Sequence, residues 1–159
     1  IDFPLFEWNE DEQKWDPSHH LFTMPQERFI PELENDPGAV KGELYDLVCN
    51  GTELASGSIR VHDPELQSRI FAIVGLPEQE ARRRFGFLLD AFAYGPPPHG
   101  GIAPGLDRLV MLLAGEQSIR EVIAFPKNTL GQSLMDDCPA EVDPAQLEEL
   151  HIRITEEDG

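Results

Sequence analysis

Asp46, Glu53 and Arg60 lie within one stretch, ELYDLVCNGTELASGSIRVH (43–62), and their side chains can do chemistry together. Two carboxylates on one surface can grip a divalent cation through oxygen ligands. An arginine beside them can hold an anion through its planar fork, a bidentate geometry lysine cannot match. The bland alternative is two solvated acids with Arg60 bridging to them. A second candidate is PPPHGGIAPGLDRLVMLLAG (96–115). Gly100, Gly101 and Gly105 let a backbone approach something flat or bulky. Asp107 and Arg108 then fall in the first turn of a helix. A cation there opposes the helix dipole, which favours anions. A polyphosphate neutralised by Arg108 supplies a reason, and a guanidinium also stacks on a purine face. An Asp107–Arg108 surface pair is the alternative. Neither GxxxxGK[ST] nor GxGxxG spacing is present. His19 and His20 are adjacent, so in a strand they point to opposite faces and at most one serves a given site. No serine–histidine–acid order marks a covalent nucleophile.

These residues need a scaffold that aims them. Asn50–Gly51 suits a type I′ turn, which requires positive φ twice. With those two as the loop, 46, 48, 53 and 55 share one face of a ribbon, so Asp46 and Glu53 sit together on adjacent strands. Further along, Leu54 is apolar at an even position, and Ile59 and Val61 at odd ones. Strict alternation cannot bury all three on one side. A one-residue bulge resolves the conflict, and ASGS (55–58) is its expected place, with Gly57 taking the awkward dihedrals. The bulge moves Arg60 onto the face of Asp46 and Glu53.

Around the hairpin, DFPLFEW (2–8) reads as an aromatic-rich strand. Residues 25–42, with Pro25, Pro31, Pro37 and Gly38, read as a surface connection with at most one short helix. Asp63 caps a helix that starts at Pro64. A second helix covers 77–93, with Phe85, Leu88, Leu89 and Phe92 on one face. A third runs from about 106 to 114 and ends at Gly115. IREVIAF (119–125) is a short apolar element, and a small helix lies around 144–150. A hairpin plus helices without βαβ alternation predicts an α+β fold, an antiparallel sheet flanked by helices.

The 159 residues suffice for a domain with its own core. A net charge of −18 argues against a nucleic-acid surface made by this chain itself. The acidic runs EWNEDEQ and TEEDG read as solvated surface. No apolar run approaches the length of a membrane span. Two cysteines, Cys49 and Cys138, form no metal pair or disulfide framework, and a reducing, cytoplasmic setting is expected. The chain starts at Ile1 rather than Met and reads as a segment of a longer one.

GGIAPGLDRLVMLLAG followed by IREVIAFPKN resembles motif 3 of the class II aminoacyl-tRNA synthetases. YDLVCNGTELASGSIRVHDPELQ is similar to the hairpin of the aspartate-specific enzymes. DFPLFEW and HHLFT resemble the stretch that resumes the bacterial-type catalytic domain after its large insertion. The resemblance spans residues 1 to about 152. It implies the C-terminal portion of one catalytic domain over 1–159, with motifs 1 and 2 and the anticodon-binding domain outside this sequence. It implies ATP-dependent activation of L-aspartate and transfer to the 3′ end of tRNA, with tRNA held mainly by regions absent here and a homodimer for the full-length enzyme. By position, His19, Ser58 and Arg60 fall at the aspartate pocket, with Arg60 on the side-chain carboxylate. Asp46 and Glu53 match the acids that hold ATP-bound Mg²⁺, so Glu53 also borders ATP. Gly105, Leu106, Asp107 and Arg108 match the ATP-binding run. Leu21 stands where proline is usual, LASGS is poorer in glycine, and Pro104 replaces a larger apolar residue. A paralogue aminoacylating a non-tRNA acceptor, or a non-catalytic interaction module, are the alternatives.

Overall fold

The computed structural model describes residues 1–155; the end of the TEEDG run, 156–159, lies outside them. The chain divides into two compact units, Ile1–Gly105 and a second beginning at Leu106.

In the first unit, a two-stranded ribbon pairs β1 (Phe6–Asn9) with β2 (Lys14–Pro17). Trp8 and Trp15 face each other across it, edge to face, with ring centroids 5.3 Å apart. The aromatic strand thus starts later than expected, and its partner carries no sequence signal beyond Trp15. A three-stranded antiparallel sheet is ordered β3 (Leu44–Cys49), β4 (Thr52–Ile59), β5 (Gly100–Pro104). β5 was not expected: Gly100 and Gly101 are paired strand residues opposite Ile59 and Ser58.

Residues 25–42 run largely over the surface, as expected, but do more than connect. They form two 3₁₀ turns, Glu27–Glu32 and Pro37–Ala39, and carry Leu33 and Val40 into the centre of the core, both fully buried. Of the three prolines, Pro25 is buried, Pro37 is partly buried and Pro31 is exposed. The core joins Leu5, Phe6, Leu33, Val40, Val61, Leu66 and Ile70. Helix α1 (Pro64–Ile73) starts as the sequence predicts: Asp63 accepts from the Leu66 N–H at 2.8 Å. Helix α2 (Glu78–Phe92) places Phe85 against Phe22 and Phe71, at 5.1 and 5.9 Å between centroids, and buries Phe92.

In the second unit, α3 (Leu106–Ala114) stops at Gly115, whose φ of +75° suits a left-handed C-terminus. A 3₁₀ turn at Ile119–Glu121 stands where the apolar element was expected, capped by Ser118. Helix α4 (Pro144–Glu149) begins at Asp143, which accepts from Ala145 N–H. Among the described residues no helix is long and apolar enough to cross a membrane.

Candidate active site

The β3–β4 hairpin turns at Asn50 and Gly51, with φ of 50° and 77°, the paired positive dihedrals that a type I′ turn requires. Near the turn Val48 opposes Glu53; beyond it Leu47 opposes Ala55, Asp46 opposes Ser56 and Leu44 opposes Ser58. Leu54 is the extra residue, so the bulge exists but sits just before the expected 55–58. Its carbonyl accepts from the N–H of Gly105 at 2.7 Å, one residue past the end of β5. Gly57 serves another purpose: a Cβ there would stand 2.2 Å from the Gly101 carbonyl oxygen and 2.5 Å from the Tyr45 ring. The Tyr45 hydroxyl crosses at this point to donate to that same carbonyl, at 3.0 Å.

The bulge has the expected consequence. Asp46, Glu53, Ser56 and Ser58 share one face, and alternation carries Arg60 onto it. Arg60 stays in extended pairing, bridged to Thr23 and donating its N–H to His99 at 2.9 Å. The burial pattern differs from expectation in one respect: Val61 is buried, but Ile59 is 39% exposed.

The side chain that meets Arg60 is His20. The guanidinium Nη1 lies 3.0 Å from Nδ1 of that ring and closer still to Nε2. Phe22 N–H points at Nδ1 at 3.2 Å, the Thr23 hydroxyl at 3.3 Å, and the buried Ser58 hydroxyl lies 3.3 Å from Nε2. A guanidinium and a backbone N–H are obligate donors, so the ring must offer a lone pair; an imidazolium has none. His20 is accordingly held at a pKa of about 4, first by burial, then by the Arg60 charge and then by His19. His19, the histidine that the resemblance places at the pocket, is exposed and rests 5.5 Å from the Phe3 ring. Asp46 forms no ion pair with Arg60 among the described residues, which removes that part of the structural-bridge alternative.

The segment holding His20 is tied down from α1. Gln67, fully buried, donates its amide to the Leu21 carbonyl at 2.8 Å. Sequence reasoning passed over Gln67, and of the adjacent pair it placed His19 rather than His20 at the pocket. Gln67 had a signal: it interrupts the apolar face Leu66–Ile70–Phe71. Nothing local separated His20 from His19, because only the pairing of Thr23 with Arg60 shows which of the two adjacent rings turns inward.

Asp46 is half-buried and Glu53 is exposed, at successive paired positions on the same face. Two hard carboxylate oxygens from the protein suit Mg²⁺, which takes its remaining ligands from phosphate and water. Among the described residues no group of three His, Cys, Asp or Glu side chains could hold a metal unaided. In the second unit, Leu106, Asp107 and Arg108 form the exposed first turn of α3, directly after Gly105.

The family profile described as "tRNA synthetases class II (D, K and N)" matches residues 1–129. The chain belongs to the class II tRNA synthetases. This synthetase chain is 67% identical over 98% of its length to the aspartate–tRNA(Asp/Asn) ligase of Treponema denticola. It is 62% identical over 96% to the enzyme of the same name from Rubrobacter xylanophilus. It spans 26% of the length of each. A solved aspartyl-tRNA synthetase from Entamoeba histolytica superimposes with a TM-score of 0.55 at 29% identity, covering 71% of this chain and 21% of that one. The likeness to that solved structure agrees with the α+β architecture of antiparallel sheet and helices seen here.

The lowered pKa of His20 predicts a pH effect on stability of the synthetase. In the unfolded chain a histidine takes up its proton near 6.5. As pH falls from about 6.5 to about 4, the unfolded state binds more protons than the folded one, and stability declines. Full-length His20→Gln is expected to lose less melting temperature than the parent between about pH 7 and pH 5. Equal losses would refute the buried neutral ring.

Proposed function

We propose that this chain is the portion of an aspartate–tRNA ligase that receives the aspartate side chain and part of ATP. The observation that carries the proposal is Arg60, set on the sheet face that holds Asp46 and Glu53 and met there by the ring of His20. The high identity to named aspartate–tRNA ligases supports the same assignment.

The reaction has two steps. A carboxylate oxygen of aspartate attacks the α-phosphorus of ATP, and pyrophosphate departs with the bonding electrons. The 3′-terminal ribose hydroxyl of tRNA then attacks the acyl carbon, losing its proton, and AMP leaves. Neither step uses a protein nucleophile; positioning and charge neutralisation do the work. Arg60 receives the substrate's side-chain carboxylate, with Ser58 and His19 bordering that pocket. Asp46 and Glu53 would hold Mg²⁺, which would offset phosphate charge when bound. Gly105, Leu106, Asp107 and Arg108 bind ATP, Arg108 by meeting its phosphate charge and adenine. The full-length protein works as a cytoplasmic homodimer on tRNA.

Aspartate-stimulated ATP–pyrophosphate exchange tests this. The full-length protein is expected to exchange with aspartate and not with asparagine. Residues 1–159 alone are expected to give no exchange, because the chain spans a quarter of its relatives and does not include motif 2. A full-length protein indifferent to aspartate would overturn the assignment.

A further inference from the structure

We propose that His20 is a positioning residue: as a neutral imidazole it accepts from the Arg60 guanidinium and fixes the direction in which that fork faces its anion. The proposal rests on Arg60 as the receptor of the substrate carboxylate. An arginine that must bind an anion has two opposed needs. Its long side chain loses affinity to rotamer freedom unless something holds it. A carboxylate would hold it but cancel the charge that the ligand is meant to see. A neutral acceptor holds the guanidinium and leaves its charge intact.

His20 is placed to do this. Its ring touches Arg60 and is itself fixed from three directions: by the Phe22 N–H, the Thr23 hydroxyl and the Ser58 hydroxyl. The backbone beside it is anchored by Gln67 through the Leu21 carbonyl, and Val61 N–H donates to the Phe22 carbonyl at 2.9 Å. The segment 20–23 is therefore laced to both the Arg60 strand and α1, and the ring has little freedom to turn away.

The test uses the full-length protein and aspartate-dependent pyrophosphate exchange. His20→Ala is expected to raise the aspartate KM about tenfold or more while leaving the ATP KM within about twofold. His20→Gln, which keeps a neutral acceptor, is expected to restore the aspartate KM to within about threefold of the parent. In an Arg60→Lys background, His20→Ala is expected to add less than about twofold, because the two residues act as one unit. An unchanged aspartate KM in His20→Ala overturns the proposal. So does a full multiplicative effect in the Arg60→Lys background, which would mean that His20 acts without Arg60. If His20→Ala does not fold, His20→Gln against His20→Lys decides: a permanent cation there must raise the aspartate KM, and equal values overturn the role. A parent protein that shows no aspartate-dependent exchange at all defeats the assignment of function instead.

Discussion

Arg60→Leu in the full-length protein should lower kcat/KM for aspartate in pyrophosphate exchange by about 10²–10³-fold, roughly 3–4 kcal/mol. The reason is chemical. Leucine fills the volume of the side chain but offers no donor and no charge, so the substrate's second carboxylate would lose its hydration without a partner. The ATP KM should stay within about twofold, since Asp46, Glu53 and the Gly105–Arg108 run are untouched. Selectivity should also shrink. Wild-type Arg60 facing the neutral amide of asparagine lacks a counter-charge, a mismatch of about 3–5 kcal/mol at most for a buried pair. Leucine removes that penalty along with the attraction. An unaltered aspartate KM would show that Arg60 is not the carboxylate receptor.

Gly57→Ala should be the most damaging small change to the fold, lowering stability by about 3 kcal/mol, read as a fall in denaturation midpoint. The new methyl would stand 2.2 Å from a backbone oxygen of the adjacent strand, which cannot rotate away. Trimming Tyr45 to alanine in the same protein should recover little, because the ring is the softer of the two obstacles. Gly101→Ala is the control: a Cβ there meets nothing within 4 Å, and stability should hold or rise slightly. Equal midpoints for Gly57→Ala and the parent would mean that β4 and β5 pack less closely than described.

The hairpin was legible because its rules are local. Asn50–Gly51 names its own turn, and the clash in parity between Leu54 and Val61 demands an extra residue. Where that residue falls was not legible, because its carbonyl meets Gly105 at the end of a strand, 100–104, that looks irregular when read alone: the prolines before it and its two glycines hide a strand whose pairing is set by β4. Leu33 and Val40 were missed for a related reason. Prolines and glycine around them mark irregular backbone, and irregular backbone is usually exposed, yet two 3₁₀ turns fold it inward here. Of the site, Asp46, Glu53 and Arg60 were assigned to one face from spacing, and Ser58 to the pocket from resemblance. His20 was not, since its contact spans forty residues and leaves no local trace.

Counted in codons rather than hydrogen bonds, Leu54 is the one residue of the hairpin that pairing does not require. Its loss would still leave Glu53 opposite Val48, Ala55 opposite Leu47 and Arg60 on its present side. What would vanish is the carbonyl that Gly105 meets, just ahead of α3. The ribbon therefore inherits a spare position whose retention is explained by its neighbour. The number of residues here is thus tied to the backbone N–H of Gly105, which a main-chain carbonyl satisfies whatever side chain position 54 carries.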